Sequence, residues 1–215
     1  DAEEKIGGDE DALEGVEDGG FVALGAFEGV QEKSIVAVEF GGRRRAAEGA
    51  RGKRPQRLAQ PARAARGVGR RLEVKGVAGD VVVIDDYAHH PTEVLATLAT
   101  ARLVAASKGG RVIVIFQPHR YSRTAAFSEE FAQALSGADY ALLLDIYGAG
   151  EEPIPGASSA AITAKINLLG GKSDFEPNLM QAIELARNFA EPNDLILTMG
   201  AGDVTSLAPQ ILAAI

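Results

Sequence analysis

From residue 67 onward, short apolar runs alternate with stretches of helical periodicity. VIVIF (Val112–Phe116) and LILTM (Leu195–Met199) are almost unbroken apolar, as strands covered on both faces require. Leu72–Lys75, Val81–Asp85 and Tyr140–Asp145 also read as strands. Between and after them the spacing predicts helices over Pro91–Ala106, Ala125–Leu135, Ala160–Leu169, Asn178–Ala190 and Val204–Ala214. Phe127, Phe131 and Leu135 recur at i, i+4 and i+8, laying one apolar stripe along a helix. Strands and helices in alternation predict an α/β domain over residues 67–215, with a mostly parallel sheet and helices on both faces. Ligands of such sheets gather beyond the carboxyl ends of the strands. Chemistry is therefore expected in the residues that follow each strand.

Residues 1–66 do not share this pattern. GGRRRAAEGARGKRPQRLAQPARAARG offers a single leucine and no apolar stripe with which to build a core. FVALGAF (Phe21–Phe27) and SIVAVEF (Ser34–Phe40) read as two strands around a turn. The remainder is expected to be irregular or disordered. Its restricted alphabet resembles an out-of-frame reading of GC-rich coding DNA.

Charge sharpens the division. Residues 1–42 carry 12 acidic and 2 basic side chains, residues 43–75 carry 12 basic and 2 acidic, and residues 76–215 carry 16 acidic and 8 basic. A basic block raises the question of nucleic acid. This one has no interleaved aromatic side chains, so a charged linker is expected instead. The absence of cysteine excludes disulfides and thiolate metal sites. No apolar run approaches the roughly 18 residues of a membrane span, and the acidic start is not a leader peptide. The expectation is a cytoplasmic protein without nucleic-acid or membrane partners.

The strand ends carry the candidate chemistry. After Val81–Ile84 come Asp85, Asp86, Tyr87, Ala88, His89, His90 and Pro91. Pro91 suits the first helical position, and Glu93 can fold back in the manner of a capping box. Neither explains Asp86, Tyr87 and His89. A carboxylate there can accept hydrogen bonds from ribose hydroxyls, and free helix N–H groups suit an anion. Adjacent histidines rarely point the same way, so no metal site is expected. After Val112–Phe116, QPHRYSRT places His119, Arg120 and Arg123 in a compact cationic group. It reads either as a bidentate anion site or as a solvated loop paired with nearby carboxylates. IYGAGEEPIPGAS follows the next strand and is rich in turn residues. GAGDV after LILTM lets the backbone approach a ligand closely. GGKS (Gly170–Ser173) imitates the end of a phosphate loop, but Ile166 stands where that pattern needs glycine, and a helix precedes it. A helix C-terminal turn with Gly170 or Gly171 in the left-handed region is expected there.

GVGRRLEVKG, VIDDYAHHPTEV, FQPHRYSRT, GAGEEPIPGAS and LTMGAGDV, in this order and spacing, resemble the C-terminal domain of the Mur ligases. Within that family the resemblance is to the enzymes that join L-alanine to UDP-N-acetylmuramate. It covers residues 67–215 and implies a Rossmann-like domain that closes over two others, a UDP-sugar domain and a central ATPase. It implies an ADP-forming amide-bond ligase that uses ATP and magnesium to make an acyl phosphate, which the amine of L-alanine attacks. Carried over by position, Arg71 approaches the ATP phosphates and Asp86 the ribose. Tyr87 and His89 lie by the reacting centre. His119, Arg120 and Arg123 receive the L-alanine carboxylate. No residue of this chain is assigned to metal. The ATPase phosphate loop and the UDP-binding domain have no counterpart in residues 1–66, so the chain alone is expected not to ligate. The alternative is a stand-alone domain that binds a nucleotide or acidic metabolite without catalysis.

Overall fold

The computed structural model describes residues 70–215 together with two short segments, Phe21–Ala23 and Ala37–Glu39. The chain divides into two compact units, Asp1–Ala64 and Ala65–Ile215. In the first, β1 (Phe21–Ala23) and β2 (Ala37–Glu39) pair antiparallel, with Val22 opposite Val38. They fall inside the two predicted strands. The expectation of irregular structure over the rest of residues 1–66 lies outside the described residues.

The second unit is built on six strands: β3 (Glu73–Ala78), β4 (Val81–Asp86), β5 (Val112–Phe116), β6 (Tyr140–Leu143), β7 (Ser173–Phe175) and β8 (Leu195–Met199). Their order across the sheet is β3-β4-β8-β5-β6-β7. Only β3 runs antiparallel, because Gly79 and Asp80 make a two-residue connection to β4. Both have positive φ, 53° and 62°, as the tight turns of twisted hairpins demand. The other pairings are parallel, and a parallel crossover needs a covering helix.

The helices are α1 (Pro91–Ala106), α2 (Tyr121–Ala126), α3 (Ser128–Leu135), α4 (Ser159–Leu168), α5 (Leu179–Phe189) and α6 (Leu207–Ala214), with a 3-10 turn at Asp203–Ser206. Val83, Ile113, Ile115, Leu142 and Ile196 pack on one side against Ala182, Ile183 and Ala186 of α5 and Leu207 and Ile211 of α6. The alternate strand residues point to the other face, where α1, α3 and α4 lie side by side. There the Phe116 ring meets Phe131 of α3 at 5.3 Å. This double cover is why VIVIF and LILTM are apolar throughout.

Three elements differ from the sequence reading. The predicted helix over Ala125–Leu135 takes in α3 and only the last two residues of α2, which begins at Tyr121; the two helices are parted at Phe127, whose φ of −122° and ψ of 25° leave the helical region. Its ring turns to meet His90 at 4.9 Å. The predicted helix over Val204–Ala214 begins as the 3-10 turn. β7 was not foreseen: it has three residues, two of them exposed, and no apolar run to betray it. GGKS ends α4 as expected. Gly170 has φ of 85°, and the amides of Gly170 and Gly171 donate to the carbonyls of Asn167 and Ile166. Among the described residues, no helix is long and apolar enough to cross a membrane.

Ile115 lies at zero exposure on the central strand β5, whereas Leu168 is 87 % exposed. Ile115→Ala is expected to cost about 2–5 kcal/mol of unfolding free energy, and Leu168→Ala less than about 0.5 kcal/mol. Urea denaturation of the two variants checks both.

Candidate functional site

The order β4-β8-β5 sets three carboxyl ends side by side. β4 closes on Asp85 and Asp86, successive residues that point to opposite faces. Asp85 is wholly buried. It accepts hydrogen bonds from Thr198 Oγ1 (2.8 Å), Thr205 Oγ1 (2.7 Å) and Arg70 Nε (3.1 Å). Asp86 is 3 % exposed. Its oxygens accept from the amides of Leu72 and Ala88, each at 2.7 Å, and from Thr97 Oγ1 at 3.3 Å. Burial raises its pKa above the ordinary carboxylate value, against the opposing pull of those donors and of Arg71.

Arg70 binds the strand ends together. Its Nη2 donates to the Gly200 carbonyl at 2.7 Å, and its guanidinium lies 4.9 Å from the centre of the Tyr87 ring. Its own carbonyl accepts the Tyr87 amide at 2.7 Å. The backbone here is left-handed at both Arg70 (φ 63°) and Leu72 (φ 42°), an uncommon geometry that these bonds sustain.

From Tyr87 a row of rings runs across the rim. Tyr87 meets His89 edge-on at 5.1 Å, His89 meets His119 edge-on at 5.8 Å, and His119 stacks on Tyr147 at 5.6 Å. His89 Nδ1 lies 2.9 Å from the Tyr87 carbonyl and 3.5 Å from Glu93 Oε2. Glu93 also accepts the amides of His89 and His90, as the capping pattern anticipates. Burial alone would raise the Glu93 pKa, but these amides and the His89 and Arg71 charges hold it below the usual range.

His119 Nδ1 lies 3.4 Å from Arg123 Nη1. A guanidinium has only donors, so this nitrogen accepts and the ring presents Nε2–H while staying neutral. Partial burial, His89, Arg123 and Arg120 all depress the His119 pKa, and only Glu151 opposes them. Arg120 has φ of 73°, held by its amide donating to the Tyr147 carbonyl at 2.8 Å. Its side chain is 3.6 Å from Glu151 Oε1. Glu151 in turn accepts from Ser122, the amide at 2.9 Å and the hydroxyl at 2.8 Å.

The glycines of GAGDV serve a close approach within the protein. A Cβ on Gly202 would lie 2.3 Å from Gln117 Oε1 and 2.8 Å from the Tyr147 ring. One on Gly200, at φ 146°, would lie 2.6 Å from the Gln117 carbonyl.

Of the residues singled out in the sequence, Tyr87, His89, His119 and Arg123 stand in one row, with Arg120 beside it. Asp86 lies beneath the same strand end, its oxygens engaged internally. Arg71 is exposed next to it, near enough to act on both Asp86 and Glu93. Sequence reasoning passed over Arg70, Asp85, Thr198, Tyr147 and Glu151. A threonine inside the apolar LILTM, and the first aspartate of the DDY motif, were the available signals. Among the described residues no group of three His, Asp or Glu side chains could hold a metal ion.

The fold and the row define a Rossmann-like domain with a polar, partly cationic site at its strand ends. Residues 70–202 match the family described as Mur ligase, glutamate ligase domain, and the chain belongs to the Mur ligase family. It is 52 % identical over 149 residues to the UDP-N-acetylmuramate–L-alanine ligase of Saccharopolyspora erythraea, a match covering 69 % of this chain and 30 % of that protein. Among solved structures it is similar to the UDP-N-acetylmuramate-alanine ligase of Thermotoga maritima, with 30 % identity and a TM-score of 0.53, over 69 % of this chain and 30 % of that one. A murein peptide ligase from Psychrobacter arcticus gives 26 % identity and a TM-score of 0.55, over 68 % and 30 %. The chain thus spans about 30 % of the length of the curated relatives it matches.

Gly202→Ala should drive a methyl group into Gln117 and Tyr147 and cost about 1–3 kcal/mol, measurable by urea denaturation. The depressed His119 pKa fixes a sign. The folded state resists protonation that the unfolded chain accepts, so stability falls as pH drops below about 6.5. His119→Gln removes this contribution. Comparing the variant with wild type at pH 8 and at pH 5.5 should show a smaller loss in the variant.

Proposed function

We propose that this domain receives the amino acid in a ligase that joins L-alanine to the lactyl carboxylate of UDP-N-acetylmuramate, opening the stem peptide of peptidoglycan. The observation that carries the reading is the convergence of His119, Arg120 and Arg123 beside Tyr87 and His89 on one rim. The identity to an L-alanine ligase supports it. Arg123 and Arg120 offer the L-alanine carboxylate two fixed cations, and His119 offers a neutral Nε2–H. Arg120 reaches the substrate by leaving Glu151, and a partly exposed ion pair at 3.6 Å is a weak tether. Tyr87 and His89 border the place where amine and acyl phosphate meet. Fixed donors aimed at developing charge, and the holding of two reactants in register, supply the rate enhancement.

The described residues hold no donor set for magnesium, and we assign that ion and the UDP-sugar to domains other than this one. ATP, when bound, supplies the phosphoryl group that activates the carboxylate. Exposed Arg71 is the residue of this domain that meets its phosphates. Asp86 serves the same end from beneath: it holds the Leu72 amide and so fixes the backbone that carries Arg71. Asp86 Oδ2 accepts only the Leu72 amide and so keeps an acceptor site for a ribose hydroxyl.

Two measurements test this. L-Alanine added at millimolar concentration should produce saturable shifts of the His119 and Arg123 side-chain resonances. These shifts should be lost in Arg123→Gln; their absence in the wild-type chain would sink the reading. The 215-residue chain should release no phosphate from ATP when given both substrates, and measurable release would overturn the division of labour among domains.

A further inference from the structure

The hydrogen bonds of His89 assign its protons. A carbonyl only accepts, so the 2.9 Å contact with the Tyr87 carbonyl makes Nδ1 the protonated nitrogen of the neutral ring. Nε2 then carries a lone pair, and it makes no hydrogen bond among the described residues. The ring is 5.8 Å from His119, whose neighbours impose the opposite tautomer, with Nε2 protonated. Two adjacent histidines therefore show the rim unlike atoms, a donor at His119 and an acceptor at His89. Behind His89, Glu93 Oε2 stands 3.5 Å from Nδ1, held in place by the amides of His89 and His90. A neutral imidazole with one nitrogen tied down and a carboxylate behind it is the arrangement of a proton acceptor.

Resting on the amino-acid reading above, we propose that His89 Nε2 takes a proton from the α-ammonium group of the incoming amino acid, and that Glu93 is the positioning residue whose charge faces the imidazolium so formed. An ammonium has no lone pair and cannot attack. One N–H bond breaks and one Nε2–H bond forms. The freed amine pair attacks the acyl phosphate carbon, and the bond from that carbon to the phosphate oxygen breaks. The second ammonium proton leaves with the phosphate, so charge and protons balance. The donor and the acceptor match the two ends of one zwitterion: carboxylate toward His119, Arg120 and Arg123, ammonium toward His89. The charged or titratable groups facing His89 are Glu93 from α1, His119 from the end of β5, and Tyr87 from its own loop. Arg71 acts on Glu93 from the segment before β3.

The test uses the 215-residue chain labelled with 15N, whose three histidines are assigned with His89→Gln and His90→Gln. At alkaline pH the His89 ring should show the Nδ1–H tautomer and His119 the Nε2–H tautomer; the reverse at His89 overturns the proposal. Glu93→Gln keeps an acceptor for the helix cap and removes only the charge. Because Glu93 Oε2 stands 3.5 Å from Nδ1, Glu93→Gln should shift the His89 Nδ1 signal, and an unchanged signal overturns the role of Glu93. L-Alanine should shift the His89 Nε2 signal, while propionate, which lacks the amine, should shift His119 and Arg123 only. If L-alanine moves His119 and Arg123 but not His89, this inference falls and the amino-acid reading stands. If it moves none of them, both fall.

Discussion

A carboxylate at zero exposure is tolerable only if its charge is answered on all sides. Asp85 meets that condition through three donors from outside its own strand: Arg70 before β3, Thr198 on β8 and Thr205 in the 3-10 turn. Each gives up freedom to do so. Thr198 places a hydroxyl in an apolar strand, and Arg70 adopts a left-handed backbone. The result is a fixed carboxyl edge from which Tyr87 projects beneath the Arg70 guanidinium. The ring row continues from there to His89, His119 and Tyr147. The site is therefore anchored from below, by groups that need never touch a substrate.

The cationic character of the rim is more graded than its composition suggests. Arg123 donates to His119 and keeps that ring neutral, while Glu151 shares its charge between Ser122 and Arg120. A site with two free cations and an imidazolium would attract any anion. This rim instead sets a neutral ring at His119 beside an arginine restrained by Glu151.

Much of this architecture was legible in the chain. Strands buried on both faces must be apolar throughout, so β4, β5 and β8 stood out, and the rule that ligands gather at their ends pointed to Tyr87, His89 and the His119 group. What escaped was written in geometry. β7 is half exposed and too short for a pattern. Phe127 lay on the apolar stripe of α3 and so concealed the break beside it. Arg70 and Arg71 are neighbours of one type, and only the left-handed turn sends the first inward to Asp85 and leaves the second exposed. Nothing in the sequence tells that Leu72, Ala88 and Thr97 reach Asp86 from within.

The position of β8 also bears on how the molecule is made. It is the last of these strands to leave the ribosome, yet it lies between β4 and β5 and bonds to both. Until residues 195–199 emerge, the two strands that carry the histidines have no common neighbour, and the rim cannot assemble. Until then the nascent chain must hold two open sheet edges apart. Such long-range closure slows folding and exposes edges that invite mispairing.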